Sequence, residues 1–232
     1  MQLLLISNGG VPPYVHCREQ IASFIGPNRR VAFVTAARLG DETAYFDMAR
    51  RQLVDAGALS ELVHLRWDGD WDHTLSTVDD IFVGGGNTYV LLKRLTDSGL
   101  LDAIRAKLDL GASYIGSSAG SNLAGPNIQT TNDWNVVGQT SFRSLAVVPF
   151  NVNPHYVERG SGDGPTGESR DDRIAEYLVV NDNPVVALEE SALLVIDDGT
   201  ATVGGTRRAR VFERAREPRW VDPGEPLGLA TP

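Results

Sequence analysis

Short apolar runs alternate with stretches in which apolar side chains recur every three or four residues, and the two periods divide the chain into elements. Residues 3–7 form an apolar run closed by Asn8-Gly9-Gly10, which predicts a buried strand and a turn. Pro12-Pro13 is expected to open a helix carrying Cys17, Ile21 and Phe24, and residues 31–35 read as a second strand. Tyr45, Met48, Ala49 and Leu53 lie on one helical face, which predicts a helix over 41–56 closed by Gly57. Strands are expected at 62–65 and 80–83, the latter running straight into Gly84-Gly85-Gly86-Asn87. Two helical stretches, 89–95 and 100–110, are divided by Ser98-Gly99, and a fifth strand at 114–116 follows. Repeated alternation of strand and helix is the pattern of a parallel sheet covered on both faces. Ligands in such sheets sit beyond the carboxyl ends of the strands, where Gly84-Gly85-Gly86-Asn87 and Ser118 both fall.

The second half has a different texture. Residues 128–133 are polar and aperiodic, and the apolar run 145–152 predicts a strand ending at Asn153-Pro154-His155. The Gly-rich stretch 160–167 reads as a loop. Ser169 with Asp172 forms a capping-box pattern ahead of a helix through Ile174, Tyr177 and Leu178. Residues 185–188 predict a strand leading to Glu189-Glu190, and the short β-like runs around Gly199, Gly204 and Gly205 predict hairpins. Arginines crowd residues 207–219, where Ala209, Val211 and Phe212 suggest a half-exposed strand with a solvated basic face.

Composition narrows the class. With 232 residues, 42% of them hydrophobic and 22% charged, the chain is expected to form a globular domain over 1–232. No run approaches the ~20 apolar residues of a membrane span, and the N-terminus lacks the basic flank of a signal peptide. One cysteine, Cys17, forms no internal disulfide and fits a reducing compartment, so a cytoplasmic location is expected. A net charge of −9 argues against general nucleic-acid binding.

The candidate chemistry centres on Gly116-Ser117-Ser118-Ala119-Gly120, a G-x-S-x-G match in which a serine sits on a sharp strand-to-helix turn. A serine hydroxyl needs a base, usually a histidine oriented by a carboxylate. Of the four histidines, His16 sits on an expected helix, His64 in a strand and His73 in a polar loop, whereas His155 ends a strand after the serine. Third-member candidates are Asp133 and Glu190; Glu190 would put serine, histidine and acid on successive elements at one sheet edge. Gly86 suits a backbone donor partnering the N–H of Ala119 in an oxyanion hole. Tyr89 stands where a dinucleotide-binding G-x-G-x-x-G would need its third glycine, and no residue set has metal-ligand spacing, so neither cofactor nor metal is expected.

Six stretches in order resemble the peptidase E family, the α-aspartyl dipeptidases among the S51 serine peptidases. They are residues 3–8, 83–88, 114–120, 129–133, 153–155, and 167–170 with Arg173. The resemblance implies a serine dipeptidase acting on small acidic Asp-Xaa peptides, and it allows a homodimer. Its site would comprise Ser118 as nucleophile, His155 as base, and Glu190 or Asp133 as the acid, with Glu190 preferred. Gly86 and Ala119 would form the oxyanion hole, and Arg170 and Asn87 would bind substrate, Arg170 as a clamp on the aspartyl carboxylate. The implied fold is an α/β parallel-sheet sandwich resembling the class I glutamine amidotransferase-like (flavodoxin-like) architecture, with C-terminal β-hairpins. Rival implications are a cyanophycinase-like β-aspartyl peptidase and a non-catalytic binding module on the same fold. Three features depart from the familiar pattern: Ser117 stands where a bulkier aromatic is expected, Glu189 stands in place of a proline, and the loop 159–166 differs.

Overall fold

The computed structural model describes residues 1–158 and 167–231, so all of the expected Gly-rich loop except Gly167 lies outside the described residues. Strand β1 (Leu3–Ile6) is buried along its whole length, as a strand covered on both faces must be. Leu3 and Leu5 face one apolar layer, with Leu91, Leu95 and Ile104. Leu4 and Ile6 face the other, with Ile21, Ala49 and Leu53. These layers are supplied by α1 (Arg18–Ile25) and α2 (Glu42–Leu53) on one side and by α4 (Thr88–Asp97) and α5 (Leu100–Asp109) on the other.

The larger sheet holds seven strands. β2 (Arg30–Val34), β3 (Glu61–Leu65), β4 (Asp80–Val83) and β5 (Tyr114–Ser117) join β1 in the parallel order β3-β2-β4-β5-β1. β8 (Ala192–Asp197) and β9 (Thr200–Gly205) extend it antiparallel beyond β1. Asp198 (φ 44°) and Gly199 (φ 72°) turn these two strands into a hairpin, since a two-residue turn matching strand twist needs φ > 0 at both positions. A second sheet, in the order β11-β10-β7-β6, holds β6 (Asn151–Tyr156), β7 (Val185–Glu189), β10 (Ala209–Phe212) and β11 (Arg219–Val221). Its β6–β7 pair is parallel and the others antiparallel. Helix α7 (Arg170–Val180) packs on it through Ile174, Tyr177 and Leu178 and begins with the expected capping box.

Three local expectations are corrected. The strand expected from residue 145 begins only at Asn151. The N–H groups of Leu145, Ala146 and Val147 instead bond the carbonyls of Leu123, Gly125 and Ala124, satisfying the end of helix α6 (Ala119–Leu123). Leu145, Val147, Val148 and Phe150 are therefore buried without belonging to a strand. His73 lies in a helix, α3 (Trp71–Ser76), capped by the Asp70 carboxylate, which accepts from the His73 N–H. The double proline does not open α1: a 3₁₀ turn at Val15–Cys17 intervenes, and Tyr14 before it has φ 63°. In strand β10 Ala209, Val211 and Phe212 are buried and Arg210 is half-buried, while Arg207, Arg214 and Arg216 nearby are exposed. Arg208 and Arg210 stack over Trp220, and Arg210 pairs with Asp171 at 3.0 Å.

Candidate active site

The turn at Ser118 is built from both ends. Its N–H donates to the Ile6 carbonyl at 3.0 Å, and its carbonyl accepts from Ser121 and Asn122 as α6 begins. The result is φ 54°, ψ −107°, a strained conformation of the kind that costs about 1–3 kcal/mol and persists only where its surroundings impose it. Both motif glycines are required by contact: a Cβ on Gly116 would lie 2.5 Å from the Gly120 carbonyl oxygen, and one on Gly120 2.2 Å from that of Val83. Such crowding lifts the Ser118 side chain clear of the sheet.

The hydroxyl of Ser118 lies 2.9 Å from His155 Nε2, and His155 Nδ1 lies 3.0 Å from Glu190 Oε1. His155 has φ 56° where the β6–β7 register shifts, and its N–H donates to the hydroxyl of Ser7 at 3.0 Å. Glu190 follows the end of β7. Its side chain is 63% exposed and that of His155 41%, so water reaches the outer part of this chain of contacts. One geometric expectation is corrected here. The three residues do not share one sheet edge: Ser118 comes from the seven-stranded sheet, while His155 and Glu190 come from the four-stranded one. The reason is that β8 and β9 occupy the place beside β1, leaving β6 and β7 to pair separately.

Asp133 is engaged elsewhere. Its Oδ2 accepts from the N–H and hydroxyl of Thr88 at 2.7 and 2.6 Å and from the Thr131 hydroxyl at 3.1 Å. A carboxylate there offsets the positive end of α4. Asn87 caps the same helix through Oδ1, and its amide donates to the Trp134 carbonyl. Gly86 adopts φ 148°, and a Cβ there would fall 2.3 Å from the Ala37 carbonyl oxygen, so only glycine fits. Neither Gly86 nor Ala119, the first residue of α6, has an N–H acceptor among the described residues. The neighbouring Gly85 N–H is engaged, donating to the Tyr45 hydroxyl at 3.0 Å, and the Tyr45 hydroxyl lies 2.7 Å from that of Tyr14. Burial, reinforced by Tyr45, pushes the pKa of Tyr14 well up, so its phenol stays protonated near neutrality.

Arg170 lies at the first turn of α7, and its guanidinium donates to Asn132 Oδ1. The Asn132 amide donates to the Pro154 carbonyl beside His155. Arg170 lines a small pocket with Asn132, Asn153 and Arg173; Ser118 and His155 line a separate open cleft of 340 Å³ with Gly86, Tyr45 and Arg38. His16 sits close enough to Glu190 to feel its charge, but burial dominates and lowers the His16 pKa. Nothing in the local sequence pattern assigns a functional role to Ser7, Tyr14, Arg38 or Tyr45. The sole signal was the polar pair Ser7-Asn8 ending an apolar strand. Among the described residues no cluster of three His, Cys, Asp or Glu side chains could hold a metal ion, and no helix is long and apolar enough to cross a membrane.

A base within hydrogen-bond reach of a hydroxyl and of a carboxylate on its other ring nitrogen is a geometry that can serve acyl transfer. The model of peptidase family S51 matches residues 3–204. Peptidase E of Streptomyces coelicolor is 39% identical over 230 residues, covering 98% of this chain and 93% of that protein. A Drosophila melanogaster protein named "Probable alpha-aspartyl dipeptidase" is 38% identical over 200 residues, covering 85% of this chain and 82% of its own length. A solved peptidase from an acI-B1 Actinobacterium shares the fold, with a TM-score of 0.76 at 17% identity over 98% of this chain and 96% of that one.

Proposed function

This chain belongs to peptidase family S51, and we propose that it is a serine-type dipeptidase that removes N-terminal aspartate from Asp-Xaa dipeptides. The observation that carries the reading is the contact chain from Ser118 Oγ to His155 Nε2 at 2.9 Å and from His155 Nδ1 to Glu190 Oε1 at 3.0 Å. Ser118 attacks the scissile carbonyl while His155 takes its proton. The N–H groups of Gly86 and Ala119 hold the oxyanion, and His155 then protonates the leaving amine. Water repeats the sequence on the acyl-enzyme. Glu190 fixes the histidine tautomer with Nδ1–H outward, leaving Nε2 free to accept.

Substrate preference is inferred from the relative named as an alpha-aspartyl dipeptidase. Arg170 grips the aspartyl carboxylate, for which a planar guanidinium is suited by its paired donors, and Asn87 supports the substrate from the loop ahead of α4. Residues 1–232 act as one peptidase domain of the glutamine amidotransferase-like architecture, in a reducing, cytoplasmic compartment. The deciding experiment measures kcat/KM of purified protein on Asp-Leu, β-Asp-Arg and Ala-Leu. Preference for Asp-Leu, reduced selectively by Arg170→Ala, supports the reading. Preference for β-Asp-Arg would make the protein a β-aspartyl peptidase, and inactivity on all three would make it a binding module.

A further inference from the structure

Arg38 lies between β2 and α2, half-buried, with its guanidinium 4.1 Å from the centroid of the Tyr45 ring. That ring is itself fixed by contacts of its hydroxyl with Tyr14 and the Gly85 N–H. Arg38 lines the cleft that holds Ser118 and His155, and it is the one lysine or arginine among the described residues that does. Its guanidinium has no ion pair or hydrogen bond among the described residues. The nearby acids are already engaged. Asp41 caps α2 by accepting from the Ala44 N–H at 2.9 Å, Asp133 is held by Thr88 and Thr131, and Glu42 pairs with Arg94. Stacking uses the face of a guanidinium and leaves the in-plane N–H donors free. An oriented, partly desolvated and uncompensated cation beside a reactive hydroxyl is suited to a planar anion with two oxygens.

We propose that Arg38 binds a substrate carboxylate in the Ser118 cleft. The identity of that substrate rests on the dipeptidase reading. An Asp-Xaa dipeptide offers two such groups, the aspartyl side chain and the chain terminus, and Arg170 in the neighbouring pocket leaves one of them for Arg38.

The test measures binding by calorimetry in the Ser118→Ala protein, so that turnover does not interfere, with and without Arg38→Gln. Ligands are Asp-Leu, Asp-Leu amide (no terminal carboxylate) and Asn-Leu (no side-chain carboxylate). Arg38→Gln is expected to weaken Asp-Leu by about tenfold or more, the scale of a lost charged hydrogen bond, and to weaken only one of the two analogues. Loss confined to Asn-Leu assigns Arg38 to the terminus, with Arg170 on the aspartyl side chain; loss confined to Asp-Leu amide assigns Arg38 to the aspartyl side chain and moves Arg170 to the terminus. Arg38→Lys, which keeps the charge without the fork, should recover part of the affinity. An unchanged affinity for Asp-Leu, an equal loss on all three ligands (a general effect through Tyr45), or no binding of Asp-Leu with Arg38 intact would overturn the proposal. Failure of the dipeptidase reading would show differently, as Asp-Leu that binds but is not hydrolysed by the protein with Ser118 in place.

Discussion

The N–H of His155 donates to the hydroxyl of Ser7 at 3.0 Å, and that hydroxyl donates in turn to the Leu188 carbonyl at 3.0 Å. Ser7 is fully buried and directly follows Ile6, whose carbonyl accepts from the Ser118 N–H. Asn8 Oδ1 accepts from the N–H of Ser191, the residue after Glu190. Three consecutive residues at the end of β1 thus hold the backbones of all three groups and fasten the two sheets together.

Ser7→Ala removes both bonds of the buried hydroxyl and takes its partner from the His155 N–H. It is expected to destabilise the fold by about 1–3 kcal/mol. Steady-state kinetics on Asp-Leu should show kcat falling about 10- to 100-fold with KM within about twofold, because alignment is lost and substrate contacts are kept. Unchanged kcat would mean that the histidine is positioned without Ser7.

Glu190→Gln and Asp133→Asn separate the two acids. With Glu190 next to His155 but open to water, Glu190→Gln should lower kcat by about 100-fold, less than the ~10⁴ seen for a buried triad acid. Asp133→Asn should leave kcat within about threefold and lower stability by about 1–2 kcal/mol through the first turn of α4. The reverse ranking in paired kinetic and denaturation measurements would transfer the orienting role to Asp133.

Gly86→Ala should lower kcat by about 10²–10³-fold, since its Cβ would meet the Ala37 carbonyl oxygen at 2.3 Å and drive the Gly86 N–H off line. A variant with wild-type kcat would remove Gly86 from the oxyanion hole.

His64 provides a pH dependence. Burial first, and Arg66 second, lower its pKa below the ordinary 6.5. Its ring stacks on Phe46 with centroids 4.5 Å apart, and Nε2 lies 2.9 Å from the Thr35 hydroxyl. That hydroxyl donates to Glu42, so the neutral His64 ring carries its proton on Nε2 and donates to Thr35. With the folded pKa below the unfolded one, the unfolded chain binds more protons between the two values. The stabilisation is therefore full above about pH 6.5 and falls as the pH drops toward the folded value. The Tm of the wild type should fall relative to that of His64→Gln between pH 7.5 and 5.5; parallel curves would refute this.

Much of this arrangement is legible in the sequence, for physical reasons that also mark its limits. Buried parallel strands such as β1 and β4 are continuous apolar runs, and the Ser118 turn advertises itself because only glycine fits at 116 and 120. His155 and Glu190 follow from strand ends. Residues 145–150 are not legible, because an apolar run signals burial and not strand pairing, and nothing in the local pattern announces bonds to the end of α6. The division into two sheets was illegible too, since it depends on whether β8 or β6 takes the place beside β1. Ser7 and Arg38 matter through partners distant in the chain, which no local spacing encodes.

The central claim is that Ser118, activated by His155, is the nucleophile of a dipeptidase. Its most direct test is kcat for Asp-Leu hydrolysis by Ser118→Ala against the wild type, with both proteins shown to share one Tm. The account requires a loss of about four to six orders of magnitude. Hydrolysis by Ser118→Ala at near the wild-type rate would contradict it.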